Sequence, residues 1–511
     1  MSETYDVDLL VLGAGAAGLT AAGTAANLGA RTMMVERHRL GGDCTWTGCV
    51  PSKTLLHAAA LRQTAQDYAD RFAASSGDGA APPVPEVDFA AVMRDVRAVR
   101  EDVYRDADDP AIFQNYGVEV VKGAGRFTGP HAVEVDLEGG GTRAVTFRMA
   151  VVCTGGRAAP PPIPGLDRTP HLTNETLFEL TRRPDHLVVV GAGSIGCEMG
   201  QAFRRLGSRV TVVDRADRIL GRDDADHAAI LQGALEDEGV AFVLGADVDR
   251  VEPRSVDGGG AAGVAGRVAV HVTQGGESRV IEGDVLLVAT GRAPNVEGVG
   301  LDAAGVSHTT RGITVDDRCR TNLDHVWAAG DCTGEYALTH MSEHMAKQAV
   351  TNAVLKVPAA IDRDGLTWTT FTTPEVAQVG KTEAQLRDEG ADFETYRFPY
   401  SKVDRAVTEH AERGHIKVHA TRWRGKILGA SVVGERAGEL ISVYGVAMKA
   451  GVSVREISDT IFPYPTYGLG ARRAADQYYV QKQFPLAIRA VKRVFGYSGD
   501  TPPPPDPERV V

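Results

Sequence analysis

The sequence predicts an α/β protein that begins with two Rossmann-like units and ends with an α+β domain. Two observations predict the Rossmann-like units: a pattern of strand, glycine-rich turn, helix and strand occurs twice, and each copy ends on a carboxylate. A third observation predicts the last domain, because strand and helix patterns become mixed from about Trp368 onwards. At 511 residues the chain is long enough for about three or four domains.

The two copies of this pattern match element by element. The first runs from an apolar strand at 7–12 to Glu36, and the second runs from a strand at 187–190 to Asp214. The first glycine and the carboxylate are equally far apart in both copies. The turn glycines are Gly13, Gly15 and Gly18 in the first copy and Gly191, Gly193 and Gly196 in the second.

This order of elements is typical of a dinucleotide-binding βαβ unit. The first glycine makes the tight turn, the second lets the backbone approach a pyrophosphate, and the third lets the helix pack on the strand. The helix N-terminus presents free N–H groups to the phosphates. We expect Glu36 and Asp214 to accept hydrogen bonds from adenosine ribose hydroxyls. Two complete copies in one chain therefore predict two dinucleotide sites.

Three further apolar strands end in short turns that we expect to meet the dinucleotides. Two of these strands end in Thr-Gly, and the third ends in Gly-Asp. The residues predicted to lie against a cofactor are Thr154, Gly155, Gly291 and Asp331.

Of the six cysteines, only Cys44 and Cys49 have a spacing that suggests a shared role. In a regular helix this spacing separates the Cα atoms by about 8–9 Å, whereas a disulfide needs about 4.4–6.8 Å. The pair can therefore form a bridge only where the backbone is irregular. Gly41, Gly42 and Gly48 permit such a backbone.

Pro51 suits the first turn of the helix that follows, so Cys49 is expected beside a helix N-terminus, which lowers a thiol pKa. The rival hypotheses are a zinc half-site and two unrelated buried thiols. Zinc needs two more ligands, and no second Cys or Cys/His cluster occurs in the sequence, so we predict no metal site. The other cysteines are interpreted as buried small residues: Cys153, Cys197, Cys319 and Cys332.

The cysteine segment resembles that of the class I pyridine nucleotide-disulfide oxidoreductases. This flavoprotein disulfide reductase family includes dihydrolipoamide dehydrogenase, glutathione reductase and mercuric reductase. The resemblance covers about residues 5–480. Its most specific part is the motif Gly41-Gly42-Asp43-Cys44, four intervening residues, then Cys49-Val50-Pro51-Ser52-Lys53.

The resemblance implies a homodimer in which FAD occupies the first Rossmann-like unit and NAD(P)H the second. Hydride then passes from NAD(P)H through FAD to a redox-active disulfide, and on to a small acceptor. The implied domains are a first part of the FAD domain (1–165), an NAD(P) domain (166–295), a second part of the FAD domain (296–362), an α+β dimerisation domain (363–482) and a tail (483–511).

The resemblance also assigns roles to single residues. Cys49 is implied to be the flavin-proximal sulfur and Cys44 the exchanging sulfur. Lys53 and Glu198 match an ion pair near the flavin N5 and the nicotinamide. The implied FAD contacts are Gly13, Gly15, Gly18, Glu36, Gly42, Thr154, Gly155 and Asp331. The implied NAD(P) contacts are Gly191, Gly193, Gly196, Asp214 and Gly291.

The sequence departs from the thiol-reducing members of this family at their His/Glu acid–base dyad. Tyr464 stands where the His is expected and Leu469 where the Glu is expected, and no His follows His419. A phenol with a pKa of about 10 transfers protons poorly at neutral pH. Reduction of dihydrolipoamide or glutathione by the usual route is therefore not favoured.

The stretch around Tyr464, Phe462-Pro463-Tyr464-Pro465-Thr466, resembles mercuric reductase. Mercuric reductases also carry a C-terminal cysteine pair, whereas the last cysteine here is Cys332. The alternatives left open are a metal ion or other electrophile, a disulfide such as dihydrolipoamide, and a quinone or dye reduced by the flavin directly. A packing role for Tyr464 at a dimer interface also remains open.

Charge patterns indicate the nucleotide and the partners. Asp214 favours NAD(H) because its charge repels a 2′-phosphate, although Arg215 and Arg218 follow closely. The net charge of −12 argues against nucleic acid as a partner. The absence of a basic leader and of a long apolar run predicts a cytoplasmic protein. A basic amphipathic stretch at 481–497 suits either weak membrane-surface contact or packing on the dimer.

Overall fold

The structure is a computed structural model that describes residues 4–72, 84, 86–254, 267–481 and 485–500. The sequence also predicts a flexible loop at 73–85 and a disordered tail at 499–511, and both lie mostly outside these residues. The chain divides into two compact units. Unit 1 comprises 1–191, 202–213 and 247–361, and unit 2 comprises 192–201, 214–246 and 362–511.

The strands are numbered in chain order. They are β1 Val7–Leu12, β2 Thr32–Glu36, β3 Glu119–Gly129, β4 Ala132–Leu137, β5 Thr142–Val152, β6 Gly156–Ala158, β7 His186–Val190, β8 Arg209–Val213, β9 Val240–Val243, β10 Ala246–Pro253, β11 Val268–Gln274, β12 Glu277–Gly283, β13 Val285–Val288, β14 Arg292–Pro294, β15 His308–Thr309, β16 Gly312–Ile313, β17 Val326–Ala328, β18 Thr367–Thr370, β19 Glu375–Gly380, β20 Phe393–Pro399, β21 His415–Thr421 and β22 Ile427–Gly434.

The α-helices are numbered in the same way. They are α1 Ala16–Asn27, α2 Gly42–Trp46, α3 Cys49–Phe72, α4 Phe89–Val103, α5 Pro110–Asn115, α6 Asn174–Leu177, α7 Ser194–Arg205, α8 Ala225–Asp237, α9 Leu301–Ala304, α10 Thr339–Val350, α11 Glu383–Asp388, α12 Asp404–Glu409, α13 Ala437–Ala450, α14 Val454–Asp459, α15 Gly468–Gln481 and α16 Pro485–Phe495.

The main sheet of unit 1 is a parallel sheet in the order β3-β2-β1-β5-β17. Strand β1 lies at its centre, with Leu10 opposite Met33 on one side and Ala150 on the other. Strand β4 pairs antiparallel with the parts of β3 and β5 that extend beyond the parallel sheet. The residues of β1 from Leu9 to Leu12 are buried on both faces, as expected for a parallel sheet.

The second Rossmann-like pattern also forms parallel strands. Strand β7 pairs with β13 on one side and with β8 on the other. These strands are apolar and almost entirely buried. The fold class predicted from the repeated pattern is therefore confirmed.

The C-terminal part of unit 2 is an antiparallel sheet in the order β18-β19-β22-β21-β20. Helices α13 and α15 pack against this sheet. Its core contains three fully buried tyrosines: Tyr396, Tyr400 and Tyr444. Antiparallel strands with helices on the sheet confirm the predicted α+β domain. Among the described residues, the helices include none that is both long and apolar enough to cross a membrane.

Candidate functional site

The first glycine-rich turn joins β1 to α1 by a close approach of backbone. Gly13 has a φ of 100°, which L side chains rarely adopt. A Cβ on Gly13 would overlap the carbonyl oxygen of Cys153, and one on Gly18 would overlap the carbonyl of Gly13. Only glycine therefore fits these positions, and the N-terminus of α1 is held at the end of the central strand.

The carboxylate of Glu36 stabilises this turn. One carboxylate oxygen accepts the backbone N–H of Ala14 at 2.7 Å, and the other accepts that of His38 at 2.8 Å. The lone pairs that remain on both oxygens are the acceptors expected for ribose hydroxyls. The ribose contact itself stays a prediction.

Asp214 repeats the arrangement of Glu36 in the second pattern. Its oxygens accept the backbone N–H of Ala192 at 2.6 Å and that of Ala216 at 2.8 Å. Gly191 has a φ of 113°, and a Cβ there would lie 2.5 Å from the carbonyl oxygen of Ala289. The two glycine turns thus have matching hydrogen bonds as well as matching sequences.

The segment that carries the cysteines lies against the first glycine turn. The N–H of Gly41 donates to the carbonyl of Ala14 at 2.9 Å. Gly42 has a φ of 57°, and a Cβ there would lie 2.8 Å from the Cα of Gly15. This contact brings the predicted FAD site and the predicted redox pair together within unit 1.

The helical pattern breaks between Cys44 and Cys49, as the sequence predicts. Helix α2 ends at Trp46 and α3 begins at Cys49, with Gly48 between them. A Cβ on Gly48 would lie 2.8 Å from the carbonyl oxygen of Asp43. The break allows the two thiols, which form no disulfide with each other in this structure, to form a side-chain hydrogen bond.

This hydrogen bond distinguishes the two sulfurs. The interaction with Cys49 raises the pKa of the Cys44 thiol, and burial raises it further. Cys44 is therefore the partner expected to keep its proton. Cys49 is exposed, whereas Cys44 is half-buried. Cys49 also begins α3, where the helix N-terminus favours a thiolate.

Thr339 completes the cysteine cluster, and the sequence analysis did not identify it. Its hydroxyl oxygen lies 3.3 Å from the Cys49 sulfur, and its hydrogen bond to Cys44 lowers the pKa of that thiol. Thr339 is the first residue of α10. The available signal was a hydroxyl residue at the start of a helix soon after Gly330-Asp331.

Arg292, also not identified from the sequence, links Asp331 to the cysteine segment. Its guanidinium pairs with Asp43 and lies 3.3 Å from a carboxylate oxygen of Asp331. Burial raises the pKa of Asp331, and Arg292 opposes that rise. Arg292 follows Gly291 directly, so this ion pair connects two predicted cofactor-binding turns to the residue beside Cys44.

The turn at Thr154 is fixed by a pair of hydrogen bonds. The Thr154 hydroxyl donates to the carbonyl of Asn295 at 2.6 Å, and the Asn295 amide donates to the carbonyl of Thr154 at 2.9 Å. Gly155 and Gly291 both have positive φ angles, 69° and 157°. Hydrogen bonds within the protein therefore fix the turn at Thr154.

Lys53 and Glu198 belong to different units of the chain. Lys53 is half-buried on α3 in unit 1. Glu198 is buried on α7 in unit 2, where it accepts the backbone N–H of Phe371 at 2.9 Å. The ion pair between them stays a prediction.

The remaining predicted residues also have defined positions. Gly193 is exposed and Gly196 is buried. The side chain of Tyr464 is strongly exposed, at 71%, whereas Leu469 is buried. The other four cysteines are buried, as predicted, and burial raises the pKa of Cys332 to about 12.

Comparison with known proteins gives the family. A family model described as "Pyridine nucleotide-disulphide oxidoreductase" matches residues 7–346, and the dimerisation-domain model of the same family matches residues 366–474. The chain belongs to the pyridine nucleotide-disulphide oxidoreductase family. Members of this family use FAD and NAD(P)H, which confirms the cofactor prediction at the level of the family.

Relatives that are named for different activities have similar sequence identities to this chain. The chain is 34% identical over 474 residues to a mercuric reductase of Bacillus cereus, covering 92% of this chain and 71% of the relative. It is 34% identical to a mercuric reductase of Streptomyces lividans (92% and 96% covered) and 33% identical to a dihydrolipoyl dehydrogenase of Geobacillus stearothermophilus (92% and 96% covered).

Solved structures of the family share the fold. LpdA from Mycobacterium tuberculosis matches with a TM-score of 0.82 and 28% identity, over 92% of this chain and 99% of the other. A Cu(II) complex of the HOCl-induced flavoprotein disulfide reductase RclA from Escherichia coli matches with a TM-score of 0.79 and 27% identity, over 93% and 99%.

The residues of unit 1 fit FAD. A glycine turn that excludes side chains lies at the N-terminus of α1, and the carboxylate of Glu36 lies at the same turn. The cysteine segment contacts this turn through Gly41 and Gly42. The predicted FAD site therefore lies next to the two thiols within unit 1.

Proposed function

We propose that this oxidoreductase takes electrons from NADH and uses Cys44 and Cys49 to reduce a soft metal ion or a comparable small electrophile. The observation that supports the proposal best is the contact between the two thiols, one of which, Cys49, is exposed. Bound FAD supplies two-electron transfer between the nicotinamide and the disulfide.

The protein's own groups hold a proton at the dithiol and supply the metal ligands. Reduction of the disulfide breaks the S–S bond and, with two electrons and two protons, gives two thiols. Cys44 holds its proton on the sulfur, and Thr339 offers its hydroxyl to Cys49. Thiolates are the preferred ligands of soft metals. With Hg(II) as substrate, NADH and Hg(II) give NAD⁺, a proton and Hg(0).

Several features favour this acceptor class over a dithiol substrate. Tyr464 and Leu469 replace the His/Glu dyad of the thiol-reducing members, and a phenol is a poor proton shuttle at neutral pH. Mercuric reductases are among the relatives, and a structural neighbour is a Cu(II) complex. Tyr464 is exposed on its unit, so its ring is available to an incoming substrate or to a partner subunit.

The nucleotide preference is proposed from two residues at the second turn. The charge of Asp214 repels a 2′-phosphate. Arg218, one of the two nearby candidates for binding that phosphate, donates instead to the backbone carbonyls of Leu220, Gly221 and Asp223. Both observations support NADH over NADPH.

The quaternary state is proposed from the family match of the C-terminal region. The chain contains the family's dimerisation domain, and we propose a homodimer on that basis. The cytoplasmic location, the domain boundaries and the membrane-surface contact of the C-terminal stretch stay predictions.

The decisive experiment is an anaerobic acceptor screen of the FAD-loaded protein. NADH oxidation is followed with Hg(II), Cu(II), lipoamide, small disulfides and a quinone. We expect the metal ions to be reduced fastest, and Cys44→Ser to lower their reduction by at least about 100-fold. Cys319→Ala is the matched control because Cys319 is buried and lies outside the described site.

The alternatives give different results in the same screen. Fast quinone reduction that survives Cys44→Ser would show that the flavin reduces its acceptor directly. Fast lipoamide reduction would show that the protein reduces a disulfide substrate without the His/Glu dyad. Either outcome, with slow metal reduction, contradicts the proposal.

A further inference from the structure

A cluster of two histidines and a carboxylate lies in unit 2, outside the cysteine site. His227 is in the first turn of α8, His415 begins β21, and Asp226 precedes His227. One ligand atom from each of the three residues lies within 4.8 Å of the others. The Nε2 atoms of the two histidines are 2.9 Å apart, and Nε2 of His415 is 3.4 Å from Oδ2 of Asp226.

We propose that Asp226, His227 and His415 form a binding site for a divalent transition-metal ion, such as Zn²⁺. The site is independent of the proposed redox function, and the sequence analysis predicts no metal ligands there. Imidazole and carboxylate together suit zinc, nickel, cobalt and copper.

Two of the three distances between ligand atoms are close to those around such an ion. With zinc–nitrogen bonds of about 2.0–2.1 Å, adjacent ligands of a tetrahedral site lie about 3.3 Å apart. The separation of 3.4 Å between His415 and Asp226 already has this value. The histidine nitrogens at 2.9 Å need to separate by only a few tenths of an ångström.

The burial of the three side chains suits a site with one open position. His227 is fully buried and the side chain of His415 is 17% exposed, so both rings are held by their surroundings. The side chain of Asp226 is 48% exposed, which leaves the site open to solvent. Water can therefore enter and provide the fourth ligand.

The neighbouring charges are compatible with a bound cation. Lys417 is a positive group beside the cluster, with its ammonium 2.7 Å from Oδ1 of Asp226. The same ammonium lies 3.0 Å from Asp224 and 3.5 Å from Glu383. Three carboxylates thus surround one lysine, and Oδ2 of Asp226 faces the histidines rather than Lys417.

The test is a zinc titration of the FAD-loaded protein by isothermal calorimetry. The background carries Cys44→Ser and Cys49→Ser, because thiols at the redox site would also bind zinc. We expect one Zn²⁺ per chain. His415→Gln and Asp226→Asn should each weaken binding by at least about tenfold, whereas His410→Asn, which removes an exposed histidine of the same unit, should not.

A structural readout accompanies the titration. Crystals soaked in ZnCl₂ should show anomalous density between the two Nε2 atoms and Asp226. The proposal is overturned if the background protein binds no zinc, or if both variants bind it as tightly as the background does. Should His415→Gln fail to fold, Asp226→Asn decides, because the solvent-exposed carboxylate is replaced by an amide of the same shape.

Discussion

The sulfur of Cys49 lies 3.3 Å from the hydroxyl oxygen of Thr339, so the first residues of α3 and α10 meet at the redox pair. These residues are 290 positions apart in the sequence. The contact places a neutral hydrogen-bond donor beside the sulfur that we expect to carry negative charge.

Thr339→Val should make the thiols of the reduced protein harder to ionise. Loss of one hydrogen bond worth about 1 kcal/mol raises a pKa by somewhat less than one unit. The measurement is the pH dependence of the rate at which iodoacetamide alkylates the NADH-reduced, FAD-loaded protein. Thr339→Ser keeps the hydroxyl and should keep the wild-type profile. Identical profiles for all three proteins would mean that the hydroxyl has no influence on the pair.

Gly18→Ala should strongly reduce FAD binding. The new Cβ would overlap the carbonyl of Gly13, so the glycine turn must move away from the helix N-terminus. Flavin content per chain, measured by absorbance, should fall at least about fivefold. Gly23→Ala is the matched control on the same helix, because its Cβ would meet only Phe113, at 4.0 Å. Equal flavin content in the two variants would contradict the predicted FAD site.

The glycine turns were predictable from sequence because every part of the pattern is local. Gly13, Gly18 and Glu36 lie within one βαβ unit, and the break at Gly48 is signalled by its own residue type. Thr339 and Arg292 were missed because their roles depend on packing between distant segments. Arg292 is 249 positions from Asp43, and periodicity carries no information about such a pair.

Asp214→Asn should shift the nucleotide preference towards NADPH. The amide removes the charge that repels a 2′-phosphate and still offers an acceptor to the N–H of Ala192. We expect the ratio of kcat/KM for NADPH to that for NADH to rise by about tenfold, which corresponds to about 1.4 kcal/mol. Asp217→Asn makes the same charge change at an exposed residue nearby and should leave the ratio closer to wild type. A protein that already prefers NADPH would refute the assignment.

Glu375→Gln should remove part of the pH dependence of stability. Burial raises the pKa of Glu375 to about 7 from its usual 4.5, with Glu435 and Glu439 adding to the rise and Arg436 and the Gly438 N–H opposing it. Between these pH values the folded protein holds a proton that the unfolded chain has released. Stability therefore falls as the pH rises from 4.5 to 7, by up to about 3 kcal/mol.

The check for Glu375 is the free energy of unfolding of wild type and variant at pH 5 and pH 7.5. From pH 5 to pH 7.5, the free energy of unfolding should fall less for the variant than for the wild type. The reason is that Gln accepts the N–H of Gly438 without carrying a charge. Asp223, whose pKa burial raises to about 6, contributes equally to both proteins. Glu236→Gln, at an exposed site, should follow the wild-type slope. Parallel pH profiles for Glu375→Gln and wild type would rule out the effect.

The backbone hydrogen bonds that Ala14 donates to Glu36 and Ala192 donates to Asp214 have a practical consequence for anyone redesigning this enzyme's coenzyme use. Each carboxylate accepts a backbone N–H of its own glycine turn. Removing either side chain would therefore change nucleotide selectivity and destabilise the turn at the same time. An engineer would do better to keep an acceptor at both positions and to introduce new basic groups further along the loop.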